Sequence, residues 1–527
     1  MLLHDHLARA SAARPDAVAL DFGDERLTYG QVATASDRLA AALVDRGVGP
    51  GDRVGLLVPK QPAAIVAMHA VLKAGAAYVP LDAESPAPRL ARIVTSADLA
   101  MLLAVASAGP RLDDLAALVA LPVVASVEDE PVVGADGRPL SAFTRREWDA
   151  PATPPTRRVG DDAAAHLLFT SGSTGHPKGV VITHRNVATF VDWALTEFGT
   201  RPTDRISGHP PLHFDLSTFD VYGTFAAGAE LHLVPPAASL DPRGLARFIR
   251  DHELTQWFSV PSVLTYLAKF DAVAEDDFPA LERLLWCGEV LPTPVLCHWM
   301  RRLPHVRFTN LYGPTEATIA SSHHTLRAIP ADETQPVPIG TACKGEELLV
   351  LDAERRPTPV GDIGDLYIAG VGLSPGYWRD DDKTQAAFVP DPRSPGSGDR
   401  IYRTGDLARV DDHGLVHFLG RADSQIKSRG YRIELGEIES ALNAVDGVRE
   451  CAVVGVESHG FEGTAICAAY VADGLEPPTL KAALAATLPT YMLPARWMAL
   501  DALPKNQNGK IDRPDLRTRF VAAKKER

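Results

Sequence analysis

Residues 169–179 read Phe-Thr-Ser-Gly-Ser-Thr-Gly-His-Pro-Lys-Gly, and this run is the most informative stretch of the chain. It packs hydroxyls, glycines and one cation, Lys178, into eleven residues. Glycines let the backbone approach an anion and turn N–H groups toward it, while hydroxyls and a lysine add donors and charge. It is not a Walker A loop, because Gly-Lys is not followed by Ser or Thr. The stretch predicts either a phosphate-binding loop or a solvated turn.

Length and composition indicate a globular protein of at least two domains. The chain has 527 residues, 46% of them hydrophobic, which is more than one ordinary core holds. Its 53 basic and 67 acidic residues give a net charge of −14, so we expect neither a nucleic-acid nor a membrane partner. The five cysteines form no Cys-x-x-Cys pair, and no signal peptide or membrane span is expected. A reducing, cytoplasmic location fits best.

The order of apolar patterns predicts an α/β fold. Helix-like spacing alternates with short strand-like runs between Thr28 and Asp82, which is typical of βα units and parallel sheets. A predicted strand over residues 163–169 delivers the hydroxyl-rich loop at its end, where ligand loops usually lie. A charged, Gly-rich stretch after Arg421 marks the main boundary. We therefore expect a domain over 1–422 and a small α+β domain over 423–527.

A second polar segment, Asn-Leu-Tyr-Gly-Pro-Thr-Glu, occupies residues 310–316. Tyr312 offers a stacking face for a base, Thr315 a donor for phosphate and Glu316 an oxygen ligand for Mg²⁺. A Gly-Pro surface turn with an exposed acid explains the same residues.

Three further residues have a functional and a plain interpretation. Asp406, in Tyr-Arg-Thr-Gly-Asp, is placed either to bind a ribose or to stabilise its own turn. Arg421, in Gly-Arg-Ala-Asp, is either a phosphate or ribose ligand or a solvated charge. Lys510, in Asn-Gly-Lys-Ile-Asp-Arg, is either a mobile catalytic lysine or a surface charge.

Taken in this order and spacing, the segments resemble those of the adenylate-forming superfamily, which includes acyl-CoA synthetases, luciferases and nonribosomal peptide adenylation domains. The resemblance runs from Leu27-Thr28-Tyr29 to Arg513. It implies a large N-terminal domain of layered α/β subdomains with a β-barrel-like subdomain, a hinge, and a small α+β C-terminal domain. It also implies a two-step ligase, in which a carboxylate attacks the α-phosphate of ATP and a thiol then displaces AMP.

The resemblance assigns roles to individual positions. It implies that ATP and Mg²⁺ are the cofactors and that Glu316 binds Mg²⁺. It also implies that Thr315 contacts the α-phosphate, that Tyr312 stacks on the adenine and that Asp406 binds the ribose. Lys510 would bridge carboxylate and phosphate in the first step, and Asp423 would be the hinge between steps. The implied ATP-binding residues are Thr170, Ser171, Gly172, Ser173, Thr174, Gly175, Lys178, Gly288, Glu289, Asn310, Tyr312, Asp406 and Arg421.

The substrate class follows from the same resemblance. Asp215 matches the aspartate that binds the ammonium group in amino-acid-activating members, although the local sequence also fits an N-cap of the following helix. The other aligned pocket positions are apolar apart from Lys510, which favours a small neutral amino acid. Alanine or glycine is the first choice, serine is possible, and proline is the runner-up. The pocket positions are Asp215, Leu216, Phe219, Phe258, Leu285, Cys287, Leu311, Ile319, Ala320 and Lys510.

Cys287 lies in a stretch, residues 285–291, that is similar to D-alanine carrier-protein ligases, where the cysteine contributes to the choice of enantiomer; simple core filling is the alternative. Only 17 residues follow Lys510, and no Gly-Gly-x-Ser phosphopantetheine site is present, so we expect a stand-alone enzyme that loads a separate carrier protein. Two alternatives are an acyl-CoA synthetase for a small acid, disfavoured by Asp215, and a noncatalytic binding protein, disfavoured by Lys510 and Glu316.

Overall fold

The computed structural model describes residues 1–150, 159–172, 176–423, 425–457, 464–472, 474–506 and 511–525. Four of the predicted site residues, Ser173, Thr174, Gly175 and Lys510, lie outside these ranges. Within them, no helix combines the length and the apolar character that a bilayer-spanning segment needs.

The chain alternates strands and helices along most of its length. The strands are β1 (Val18–Phe22), β2 (Glu25–Thr28), β3 (Arg53–Leu57), β4 (Ala77–Pro80), β5 (Met101–Ala104), β6 (Val123–Ser126), β7 (Ala164–Thr170), β8 (Lys178–Thr183), β9 (Arg205–Gly208), β10 (Glu230–Leu233), β11 (Gln256–Ser259), β12 (Arg283–Cys287), β13 (Arg307–Tyr312), β14 (Ser322–Thr325), β15 (Thr341–Ala342), β16 (Glu346–Leu351), β17 (Gly364–Gly370), β18 (Phe388–Pro390), β19 (Arg400–Val410), β20 (Val416–Arg421), β21 (Gln425–Ser428), β22 (Tyr431–Glu434), β23 (Val448–Glu457), β24 (Thr464–Ala472) and β25 (Arg496–Ala499).

The helices are α1 (Leu3–Ala13), α2 (Tyr29–Asp45), α3 (Pro62–Lys73), α4 (Ala87–Ala97), α5 (Gly109–Ala116), α6 (Arg145–Trp148), α7 (His184–Phe198), α8 (Asp215–Ala227), α9 (Pro242–Asp251), α10 (Pro261–Lys269), α11 (Thr293–Arg302), α12 (Asp381–Ala387), α13 (Leu435–Asn443), α14 (Pro477–Ala485) and α15 (Arg513–Lys525). Short 3₁₀ turns lie at Ala106–Ala108, Ala238–Leu240, Thr315–Ala317 and Thr490–Met492.

Two largely parallel sheets form the N-terminal part. One has nine strands in the order β15-β14-β13-β12-β11-β9-β10-β1-β2, and the other has six in the order β6-β5-β3-β4-β7-β8. Antiparallel pairs occur only toward their edges, β1 with β2, β13 with β14, β14 with β15, and β7 with β8. The predicted βα rhythm and the α/β fold class are confirmed.

Helix α8 lies between these two sheets. Its residues 216–225 are buried on every face, as expected for a helix enclosed by protein on all sides. It packs on β9, β10 and β11 of the nine-stranded sheet, and the Tyr222 hydroxyl donates to that of Tyr78 on β4 of the other sheet at 3.2 Å. The helix ends at Gly228, whose φ of +68° suits glycine. Its fixed position holds the first residue, Asp215, against the active-site loops.

The remaining sheets are antiparallel or small. Strands β16 to β20 form a five-stranded antiparallel sheet. Strands β21 and β22 form a hairpin, and β23, β24 and β25 form a sheet packed with α13, α14 and α15. Helices and strands are both present in this part, so its expected α+β character is confirmed.

Candidate active site

Asp215 opens helix α8 and faces Thr315. The N-cap is Phe214, with extended backbone, so the N-cap interpretation of Asp215 is wrong: helical geometry begins one residue earlier than the local pattern indicated. The Thr315 hydroxyl donates to Asp215 Oδ2 at 2.7 Å. Desolvation raises the pKa of Asp215, an effect that the Thr315 hydrogen bond only partly offsets.

The apolar residues predicted to line the substrate pocket all belong to one large core cluster of the N-terminal part. Strand pairing places Phe258 beside Leu285 and Cys287 beside Leu311. The rings of Phe219 and Phe258 meet edge to face with centroids 5.9 Å apart. The members, all buried, are Leu216, Phe219, Phe258, Leu285, Cys287, Leu311, Ile319 and Ala320.

Two features of these predicted pocket residues are unusual. Ile319 has φ +68°, a conformation that is strained for a β-branched residue and is tolerated where surrounding structure enforces it. The Cys287 thiol is directed to the Ile319 carbonyl at 3.8 Å, and burial raises the pKa of this thiol to about 12. The sulfur is therefore a neutral, apolar part of the wall.

Glu316 is the centre of a buried charge cluster. Its carboxylate receives Arg432 Nη1 at 2.6 Å and the Tyr377 hydroxyl at 2.7 Å, and Lys178 Nζ lies 3.3 Å away. Burial by itself opposes ionisation, but the charges of Arg432 and Lys178 outweigh it and hold the pKa of Glu316 well below its usual range. The predicted magnesium ligand and loop lysine are thus brought together.

Arg432 and Tyr377 were not identified from the sequence. Arg432 lies in the charged stretch that the sequence marks only as a domain boundary, and Tyr377 lies in a loop with no motif. The one available signal is the density of Gly, Lys and Arg over residues 427–432, which suits an anion site as well as a connector.

The β21–β22 hairpin carries Arg432 into the site and is held there mainly through backbone groups. Gly430 N–H donates to Glu289 Oε1 at 2.9 Å, and Ser171 Oγ donates to the Arg432 carbonyl at 2.6 Å. Tyr431 meets Phe214 edge to face at 4.8 Å and stacks on Tyr491 at 3.6 Å. Two predicted ATP-binding residues, Glu289 and Ser171, therefore contact the hairpin.

Asp406, the predicted ribose-binding carboxylate, is connected through Arg421 to Asp423, the predicted hinge residue. Arg421 Nη1 lies 2.7 Å from Asp406 Oδ1, and the Tyr312 hydroxyl donates to the other oxygen of Asp406. Arg421 Nε also donates to Asp423 Oδ1 at 2.9 Å. One guanidinium thus connects the nucleotide-side carboxylate with the predicted hinge aspartate.

The remaining predicted residues fall around the same centre or outside the described ranges. Thr170 ends β7 beside Lys178 of β8, Gly172 follows in the loop, and Gly288 turns at the end of β12 with φ +102°. Asn310 donates from Nδ2 to the Pro338 carbonyl at 2.9 Å.

Lys510 is outside the described residues, but its neighbours in sequence are anchored on the C-terminal sheet. Lys505 Nζ lies 3.1 Å from Glu450 Oε2, and Arg513 Nη2 lies 2.6 Å from Glu439 Oε1. Both partners belong to the C-terminal part, on β23 and α13.

Comparison with known families and structures agrees with this geometry. The model described as AMP-binding enzyme matches residues 7–378, and the model described as AMP-binding enzyme C-terminal domain matches residues 437–510.

Two curated relatives resemble the chain along nearly its whole length. The chain is 38% identical over 510 residues to the L-proline–[L-prolyl-carrier protein] ligase of Streptomyces coelicolor, covering 95% of this chain and 93% of that protein. It is 35% identical over 513 residues to the ligase of the same name from Pseudomonas fluorescens, covering 97% and 98%.

A solved structure shares the architecture. The adenylation domain AlmE of Vibrio cholerae, in complex with glycyl-adenosine-5′-phosphate, superimposes with a TM-score of 0.86 at 26% identity, covering 99% of this chain and 98% of that one.

Proposed function

The chain belongs to the AMP-binding enzyme family, and from that membership we propose that it activates a compact, uncharged α-amino acid, L-proline first, as its adenylate and transfers it to the phosphopantetheine thiol of a separate carrier protein. The observation that carries this proposal is Asp215, one carboxylate that accepts a hydrogen bond from Thr315 and lies beside Cys287, among the apolar residues proposed to line a pocket. Such a pocket suits a substrate with one ammonium and no other polar group.

The choice of proline rests on chemistry and on similarity. Its ring is apolar and compact, and its secondary ammonium has two N–H donors for the Asp215 carboxylate. Phe219 and Phe258 offer ring faces and edges to it, and both prolyl ligases named above are similar over nearly their full length. Alanine or glycine is the second candidate, favoured by the likeness to the glycyl-adenylate complex.

In the first step, a carboxylate oxygen of the substrate attacks the α-phosphorus of ATP and the bond to pyrophosphate breaks. Asp215 holds the ammonium, and the hydroxyl of Thr315 lies between that group and the phosphate side of the site. Lys178 neutralises phosphate charge, and Lys510 is proposed to bridge carboxylate and phosphate. Positioning and charge neutralisation suffice, so no covalent enzyme intermediate is required.

Mg²⁺ fits Glu316, because an ionised carboxylate is the hard oxygen donor that this ion prefers. When bound, the ion supplies charge neutralisation at the phosphates. Arg432 occupies one oxygen of Glu316 here, so the arginine has to withdraw when the ion binds. We propose that rotation at Asp423 withdraws it and brings Lys510 in.

In the second step, the carrier thiolate attacks the acyl carbon and AMP leaves. In this structure the β21–β22 hairpin places Arg432 at Glu316. Lys505 and Arg513, which lie on either side of Lys510 in the sequence, pair instead with Glu450 and Glu439 of the C-terminal part. We assign this arrangement to transfer.

The test is pyrophosphate exchange with all proteinogenic amino acids in both configurations, followed by thioester formation on holo-carrier proteins and on coenzyme A. We expect L-proline to exchange fastest and the carrier to be acylated. Faster exchange with alanine or glycine would replace proline and leave the family chemistry intact. Acylation of coenzyme A alone would overturn the carrier assignment.

A further inference from the structure

A second cluster of ligand-type side chains lies far along the nine-stranded sheet from the active site. Asp21 on β1 and His232 on β10 are paired in register, so their side chains emerge side by side. His252 follows the C-terminus of α9 and reaches the same point. Strands β9 and β11 separate this position from β12 and β13, which carry the active-site residues.

The three ligand atoms converge at separations typical of a coordination shell. His232 Nδ1 and His252 Nδ1 are 3.1 Å apart, and Asp21 Oδ1 is 3.6 Å from the first and 3.4 Å from the second. A tetrahedral ion with bonds of about 2.0–2.1 Å requires ligand atoms about 3.3–3.4 Å apart. Among the described residues, no other group of three such atoms is found.

Hydrogen bonding within the protein leaves this cluster incompletely satisfied. Asp21 and His232 are almost fully buried, with side chains 2% and 3% exposed. Oδ1 of Asp21 accepts no hydrogen bond from any described residue. The facing ring nitrogens of His232 and His252 share at most one proton between them. Asp21 Oδ1, which lies beside them, therefore receives no hydrogen bond from that contact. A cation at the centre would satisfy all three atoms.

Neighbouring groups orient these atoms as they do around metals. Arg26 Nε donates to the other oxygen of Asp21 at 2.6 Å, which fixes Oδ1 toward the histidines. Glu230 Oε2 lies 3.4 Å from His232 Nε2, near the position from which a carboxylate supports a ligating imidazole, although no hydrogen bond joins the two atoms here. The ring of Phe248, 4.1 Å from that of His252, holds the third ligand in place.

We infer that Asp21, His232 and His252 form a binding site for a divalent transition-metal ion, with Zn²⁺ as the first choice. Two imidazoles and one carboxylate are ligands that zinc accepts, and the partly exposed His252 leaves room for a water as the fourth. The ion would tie the end of α9 to strands β1 and β10, a structural role separate from adenylation.

The experiment uses full-length, tag-free protein exposed to Zn²⁺ or Co²⁺ and then desalted. We expect about one metal ion per chain by elemental analysis and the visible absorption of tetrahedral Co²⁺. His252→Ala should remove both signals and lower the zinc-dependent gain in Tm, about 2–4 °C, to zero. His232→Asn should do the same.

His417→Ala is the matched control, because His417 also pairs with a carboxylate, Asp411, at 2.8 Å. It should retain the metal. Pyrophosphate exchange by His252→Ala at the wild-type rate shows that the variant folds. If wild-type and His252→Ala proteins retain equal zinc and Co²⁺ shows no tetrahedral bands, the inference is wrong and the three residues form a hydrogen-bonded cluster only.

Discussion

Asp215 and Glu316 are two carboxylates on either side of Thr315, and their pKa values move in opposite directions. Desolvation dominates at Asp215 and raises its pKa, whereas at Glu316 the charges of Arg432 and Lys178 outweigh desolvation and lower it. Among the described residues, no lysine or arginine forms an ion pair with Asp215. Glu316 is paired directly with Arg432 and Lys178, whereas Asp215 feels the charge of Lys427 without an ion pair to it. Environment, rather than residue type, therefore sets the direction in which the pKa of each carboxylate moves.

The most severe test of this contrast is Asp215→Ala. Removing the partner of a desolvated ammonium should lower kcat/KM for the amino acid about 10³-fold, equivalent to about 4 kcal/mol, with the KM for ATP unchanged. Because protonation removes the charge, the wild-type KM for the amino acid should also rise as pH falls through the raised pKa of Asp215. Exchange assays with Asp192→Ala, an exposed acid on α7, serve as control. Unchanged turnover would refute the ammonium role.

Lys510→Ala tests whether the cation for the reacting phosphate comes from the C-terminal part of the chain. Adenylate formation should fall about 10²-fold, as for loss of one charge-stabilising donor, while transfer from a supplied adenylate falls far less. Single-turnover measurements of each step separate the two, and Lys505→Ala is the neighbouring control. Equal losses in both steps would contradict this division of labour.

Arg432→Ala is expected to show the reverse pattern. It removes the charge-assisted bond that seats the hairpin at Glu316, so transfer to the carrier should fall about tenfold. Adenylate formation should be affected less, because the arginine has to leave Glu316 for Mg²⁺ in that step. The same single-turnover assays apply, with the exposed Arg409→Ala as control. A selective loss of adenylate formation would reverse our assignment of this arrangement to transfer.

The smallest expected effect concerns a third carboxylate, Glu346, whose pKa burial raises to about 8. The folded state then holds a proton that the unfolded state releases, so stability falls as pH rises from about 4.5 to about 8. Glu346→Gln should remove part of this decline, about 2–4 °C in Tm between pH 5 and 9. Thermal melts of Glu347→Gln, its exposed neighbour, should follow the wild type. Parallel curves for all three proteins would show that Glu346 is already ionised.

The sequence predicted those parts of the site whose residues lie close together in the chain. Thr315 and Glu316 share one motif, and the strand that ends at Thr170 is readable from its apolar run. Two partners of Glu316, Arg432 and Tyr377, come from a hairpin and a loop remote in sequence, so no local pattern predicts them. Pairing of β1 with β10 likewise unites Asp21 with His232, a long-range contact that periodicity does not encode.

The N-cap error at Asp215 has the same origin. Local rules place an aspartate before a helix, but here the carboxylate bonds to Thr315 of another segment, and Phe214 takes the capping position. The local sequence allows helix α8 to start at either of two residues, and the contact between Asp215 and Thr315 selects one of them.

The buried cysteine among the predicted pocket residues, Cys287, has a consequence for the chemistry proposed here. An aminoacyl-adenylate is an electrophile that any nearby thiolate attacks. Cys287, Cys297, Cys343, Cys451 and Cys467 are all buried, and Cys287 keeps its proton because its pKa is about 12. The protein's own thiols therefore do not react with the aminoacyl-adenylate, which remains intact until the thiol of the carrier protein attacks it.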